Sequence, residues 1–232
     1  MNVKKVFEVS LSMVLCLGLM MVMAGCSSDS SDDSTNPTTP TTDSNLVIND
    51  ALTNGKSDYG AANGGSFSAA GFTVNNGQGE YLAYSTTIQG NIRVEFDAIG
   101  SWSRAGEAIF LEIFDTSHNT SWAGGSSAWA TNSLFQIMVS YPAFRVKRGG
   151  YNNYTHDWLG PFDWDSATNY HWVFSITNGS CQVTRNGQPM GAGSMMGYSP
   201  QAPLNIRIGG TWDPTWGSLA GITYSNVKVY KQ

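Results

Sequence analysis

The clearest signal in the chain is a period of two. Between Asn91 and Gly100, Ile92, Val94, Phe96 and Ala98 fall on one side, and Arg93, Glu95 and Asp97 fall on the other. Tyr170, Trp172, Phe174 and Ile176 share one side of Tyr170–Thr177. Successive side chains of an extended chain point to opposite faces, so each run reads as a strand with one buried face. Further strands are expected over Leu46–Asn49, Ser66–Val74, Glu80–Ile88, Ala108–Thr116, Leu134–Tyr141, Phe144–Arg148, Leu204–Ile208 and Ile222–Tyr230, with another from Cys181. Asn178-Gly179 precedes that last strand and Asn186-Gly187 ends it. Both pairs accept the positive φ that a tight hairpin demands. No window sustains apolar residues at helical spacing for long. About eleven short strands predict an all-β sandwich or barrel.

The first residues break this pattern. Lys4 and Lys5 precede the apolar run Leu11–Met23, and the small residues Ala24 and Gly25 lead into Cys26. The arrangement reads as an export signal over residues 1–25. It resembles the lipobox of bacterial lipoproteins, with Met23 where Leu is usual. The resemblance implies a lipidated (palmitate-bearing) Cys26 as mature N-terminus. Ser27, in place of Asp, implies the outer membrane. Residues 27–44 carry only Ser, Thr, Asp, Asn and Pro. Such a segment cannot offset the entropy of ordering. It reads as a tether of roughly 55 Å when extended, at about 3.1 Å per residue. Residues 45–232 are then a single domain, and Cys181 is its only cysteine. The membrane is a partner through the lipid alone.

Composition narrows the picture. Charged residues make up 12% of the chain, about half the ordinary share, which argues against long salt-bridged helices. A net charge of -5 leaves no basic surface for a nucleic-acid backbone, so nucleic acid is not an expected partner. The stretch Tyr170-His-Trp-Val-Phe-Ser-Ile-Thr-Asn-Gly-Ser-Cys-Gln-Val-Thr-Arg-Asn-Gly-Gln-Pro189 resembles laminin G-like and pentraxin-like modules. Leu204–Gly210 and Gly221–Tyr230 resemble their closing strands. The resemblance spans about residues 165–232 and implies a concanavalin A-like jelly roll of two antiparallel sheets. That fold hosts sugar-binding modules and glycan-cleaving enzymes alike, so it does not fix function.

A retaining glycosidase needs two carboxylates about 5–5.5 Å apart. Laminarinase-type enzymes of this fold carry Glu-x-Asp-x-x-Glu on one bulged strand. Glu95-Phe-Asp97 begins that pattern, but Gly100 stands at its end; Glu107 and Glu112 have the spacing, but Ile109 replaces the Asp. On an unbulged strand Glu107 and Glu112 face opposite sides. Alginate-lyase relatives need Gln-Ile-His, and here Met138 follows Gln136-Ile137. The three histidines have no zinc-ligand spacing. Catalytic residues are therefore not expected; were the protein a glycoside hydrolase or polysaccharide lyase, Glu107 and Glu112 are the carboxylates to test.

Aromatic residues point elsewhere. Trp172 fits a core face, while Trp102, Trp122, Trp129, Trp158, Trp164, Trp212 and Trp216 fall in polar, Gly-rich stretches that read as loops. Flat rings cover the C–H faces of sugars, and neighbouring polar groups bind the hydroxyls. Asn152, Asn153, Asp157 and Asp213 lie beside these tryptophans. The expectation is a lectin-like module binding a polysaccharide or oligosaccharide. A surface adhesion module that binds another protein through the same loops is the further alternative. No cofactor is expected beyond a possible structural Ca²⁺ at Asp163 and Asp165, whose spacing offers oxygen ligands.

Overall fold

The computed structural model describes residues 45–76, 79–101, 107–116, 134–140, 143–149, 153–161, 163–200, 202–209 and 219–232. For strand residues 107–109, 138–140, 143, 156, 158 and 161 the backbone alone is described. In chain order the strands are β1 (Leu46–Asp50), β2 (Ala61–Asn63), β3 (Ser66–Ser68), β4 (Gly71–Thr73), β5 (Tyr81–Ser85), β6 (Ile92–Gly100), β7 (Glu107–Asp115), β8 (Phe135–Ser140), β9 (Ala143–Gly149), β10 (Tyr154–Pro161), β11 (Tyr170–Thr177), β12 (Ser180–Arg185), β13 (Gln188–Ser194), β14 (Leu204–Ile208) and β15 (Ile222–Lys231).

They form an all-β sandwich of two antiparallel sheets, with no helix among the described residues. The eight-stranded sheet runs β13-β12-β11-β6-β15-β4-β3, with β1 also on β15; the seven-stranded sheet runs β10-β9-β8-β7-β14-β5-β2. The alternating residues meet between the sheets as expected. Val94, Phe96, Trp172, Phe174 and Tyr224 of one sheet are fully buried, as are Leu111, Phe135, Phe144 and Ile206 of the other. Phe135 stacks on Phe174 across the gap, centroids 3.7 Å apart. Phe110 packs edge-on against Trp172 at 5.3 Å. Asn178, Gly179, Asn186 and Gly187 all take positive φ, which closes the two hairpins at β12.

Three departures from the pattern have local causes. Ser66–Val74 is two strands, because Gly71 (φ +133°) turns the chain where a Cβ would collide with the Tyr224 carbonyl. The stretch expected to be an aromatic loop contains β10. This strand pairs only with β9, so Asp157, Gly160 and Pro161 are tolerated at its free edge. β13 is not among the expected strands either; it is rich in glycine and likewise at an edge.

The edge strands β10 and β13 touch at the same side of the sandwich. Arg148 spans them: Nε bonds Asp157 Oδ2 at 2.7 Å and Nη1 donates to the Ser194 carbonyl. Gly191 and Gly193 make room, since a Cβ there would strike Leu159 and the Arg148 guanidinium respectively. Beneath lies a cavity of about 50 Å³, lined by Val146, Arg148, Asp157, Leu159, Cys181 and Val183 among others. Cys181 is a buried free thiol whose pKa is pushed up by burial.

Candidate functional site

Alternation places Leu111, Ile113, Ile137, Val146, Ile206 and Ile208 toward the core, which turns Glu112, Gln136, Lys147 and Arg207 to the outer face of the seven-stranded sheet. The register aligns these four. Lys147 lies opposite Gln136, Gln136 opposite Glu112, and Glu112 opposite Arg207. At the usual strand spacing the row is about 14 Å long.

The row is covered: Gln136 and Lys147 are 0% exposed, Glu112 4% and Arg207 7%. Buried charges require partners. Arg207 Nη1 bonds Glu112 Oε2 at 3.1 Å, and Gln136 Nε2 reaches Glu112 Oε1 at 3.5 Å. The Arg207 guanidinium also lies 4.7 Å from the ring centroids of both Tyr81 and Phe114. Lys147 Nζ lies 4.9 Å from the Tyr154 ring. Burial pulls the Lys147 pKa down to about 8, against the opposing pull of Glu112. Tyr154 is 36% exposed and Arg145, on the same side of β9 as Lys147, is half-buried, so this end of the row reaches the surface. Rings thus stand at both ends of the row.

The carboxylates behave differently from an unbulged strand. A bulge between Ile109 and Leu111 sets Glu107 opposite Ser140, Ile109 opposite Met138 and Glu112 opposite Gln136. By backbone position Glu107 and Glu112 therefore fall on the same face. The Glu107 side chain lies outside the described residues.

Of the aromatic candidates, Trp164 is described and is half-buried. Its ring packs 4.6 Å from Tyr170 and 6.0 Å from Phe110, and its Nε1 donates to the Gly100 carbonyl at 2.8 Å. It packs against the core while part of it stays exposed. Trp158 is on β10, opposite Arg145, with its side chain outside the described residues. Trp102, Trp122, Trp129, Trp212, Trp216, Asn152, Asp213 and Cys26 also lie outside them.

Asn153 Nδ2 donates to the Met196 carbonyl at 3.1 Å, and Asp157 pairs with Arg148. The suggested Ca²⁺ ligands have other partners. Asp163 pairs with Arg185 at 2.7 Å, and Asp165 accepts from Ala167 N and Thr168 Oγ1, an arrangement that lowers its pKa. Among the described residues no three His, Cys, Asp or Glu side chains group to hold a metal ion.

The sequence reading missed Lys147, Gln136 and Arg207. The alternation in Phe144–Arg148 and Leu204–Ile208 does put Lys147 and Arg207 on the non-core face. What it lacks is the register that joins them to Glu112.

No family model matches the chain, and no curated protein matches it in sequence. Its fold is similar to solved structures. A Trypanosoma rangeli sialidase is 17% identical over 80% of this chain and 30% of its own, with a TM-score of 0.56. The receptor-binding domain of botulinum neurotoxin D is 9% identical over 81% of this chain and 49% of its own, TM-score 0.52. That of botulinum neurotoxin type G is 10% identical over 81% and 48%, TM-score 0.53. The chain spans less than a third of the sialidase and about half of each toxin domain. At these identities the likeness is one of fold.

Proposed function

We propose that this protein is a non-catalytic, carbohydrate-binding module of the cell envelope, held at the outer membrane by lipid on Cys26 and the polar tether of residues 27–44. The observation that supports the reading is the pair of rings at the two ends of the buried row, half-buried Tyr81 against Arg207 and Tyr154, 36% exposed, against Lys147. Rings for C–H faces beside groups for hydroxyls are what a sugar requires. A similar sialidase structure, TM-score 0.55 and 16% identical, is of a complex with 2,3-difluorosialic acid. The full chain on an array of plant, algal and bacterial polysaccharides tests the reading. Micromolar to millimolar affinity is expected, and Tyr154→Ala or Trp158→Ala should weaken it about tenfold, roughly 1.4 kcal/mol. Absence of binding at millimolar glycan would hand the protein to the adhesion reading. Anchoring is tested separately: Cys26→Ser should release the domain from the membrane fraction.

The bulge in β7 favours a second reading, a glycoside hydrolase using Glu107 and Glu112. Against it stand Ile109 at the intervening position and the ion pair that holds Glu112 to Arg207. Shortening of laminarin, agar or xylan that Glu112→Gln abolishes would establish the enzyme and displace the first reading.

A further inference from the structure

Resting on the glycan-binding reading, we propose that the corner where β10 meets the turn after β13 takes an N-acetylated sugar, with Met196 and Tyr154 against its apolar parts. Three turns of this chain set a non-glycine residue and the glycine after it both at positive φ: Asn178-Gly179 (50° and 73°), Asn186-Gly187 (50° and 74°) and Met196-Gly197 (54° and 75°). Asn tolerates that conformation, and two of the turns use it. Met in the same place is strained. Leu52 (φ 63°) is strained too, but it is 0% exposed, so core packing offsets the cost. Met196 is 39% exposed, and the fold gives it no such return. Strain that packing does not offset is a mark of sites that hold ligands.

The turn is firmly held. Tyr198 N donates to the Met195 carbonyl at 2.9 Å, and Met195 itself is buried. Met196 N donates to Ser194 Oγ at 3.1 Å, and Asn153 Nδ2 donates to the Met196 carbonyl at 3.1 Å. That last bond sets Met196 beside the start of β10, where Tyr154 is exposed. Among the described residues the exposed large hydrophobic side chains are Val47, Tyr59, Tyr154 and Met196, and Asn153 brings the last two to one corner. A ring covers the C–H face of a sugar. An unbranched thioether offers little to a hydroxyl but fits around a projecting methyl group. With Nδ2 of the exposed Asn153 engaged, its Oδ1 is left to accept an N–H. A methyl and an N–H together describe an acetamido group, and a hydroxyl in its place supplies no methyl.

Matched ligands test the acetamido group alone. Chitotetraose and cellotetraose share one backbone and differ in carrying acetamido or hydroxyl on each ring. Calorimetry with the full chain should give chitotetraose at least about tenfold higher affinity. Raising the salt should leave that ratio unchanged, because no charge is involved. Met196→Asn, which matches the other two turns, should raise the melting temperature by about 2–4 °C. It should also bring the ratio below about threefold. A preference lost in a variant more stable than its parent is not lost through unfolding. Equal affinity within the pair, binding of other glycans but of neither tetrasaccharide, or a preference that survives Met196→Asn overturns the proposal and leaves the glycan reading standing. Failure of every glycan to bind takes both down.

Discussion

The two outer faces of the sandwich follow the same alternation and arrange charge differently. On the eight-stranded sheet, Arg93 pairs with Glu95, His171 Nδ1 meets Asp97 Oδ1 at 2.7 Å, and Asn226 Nδ2 donates to Asp97 Oδ2 at 2.7 Å. The His171 side chain is 46% exposed. Glu95 is itself buried, while the Arg93 side chain, 38% exposed, and His171 reach water, where ion pairs contribute little. On the seven-stranded sheet, Lys147, Glu112 and Arg207 stand in one row with little or no exposure. Charge in water is inexpensive; charge out of water needs partners, which the first face supplies within one strand, Arg93 to Glu95, and the second across strands, Arg207 to Glu112.

Removing Glu112 should give the largest effect. Glu112→Ala leaves Lys147 and Arg207 buried without that carboxylate, and a loss of about 3–5 kcal/mol is expected in urea unfolding. A loss below about 1 kcal/mol would make the two faces equivalent.

The next prediction concerns pH. The folded Lys147 pKa is about 8 against an ordinary 10.5, so between these values the unfolded chain binds more protons. Raising pH through that window therefore favours the fold, by about 2 kcal/mol up to pH 10. Above that, Tyr84 and Tyr224, whose pKa values burial pushes up, oppose the trend because their unfolded forms ionise first. Lys147→Met should abolish the rise, which thermal melts across the window will show.

Between the faces, Gly193→Ala pushes a methyl into the Arg148 guanidinium and should cost about 1–3 kcal/mol. Arg148→Ala should instead speed alkylation of Cys181 about tenfold by opening the cavity beneath, as mass spectrometry can follow, provided local opening controls access. The smallest effect belongs to the exposed face: Asp97→Ala should change stability by about 0–1 kcal/mol, with the difference shrinking in salt.

These features were unequally legible in the sequence. Period-two runs such as Ile92–Ala98 named the strands and the buried side because burial imposes alternation directly. The Asn-Gly pairs named their turns because few residues tolerate that φ. Edge strands escaped: β10 contains Asp157, Gly160 and Pro161, which an interior strand would exclude. The row escaped for a different reason. Glu112, Gln136, Lys147 and Arg207 come from four strands, and their alignment depends on pairing between segments up to 95 residues apart. The packing of Trp164 escaped as well, because a polar neighbourhood along the chain, Pro161-Phe-Asp-Trp-Asp165, does not reveal that its indole folds back to Gly100.

The Arg148 crossing has a bearing on self-association. β13 runs Gln188-Pro-Met-Gly-Ala-Gly-Ser194 without one charged side chain, and uncharged free edges invite another chain to add a strand. Here Pro189 lacks a donor near one end, and Arg148 occupies the Ser194 carbonyl at the other. The glycines between give an incoming strand little side-chain surface to grip. Were copies gathered in the plane of a membrane by the lipid proposed on Cys26, where neighbours would meet at high local density, such a blunted edge would keep each copy separate.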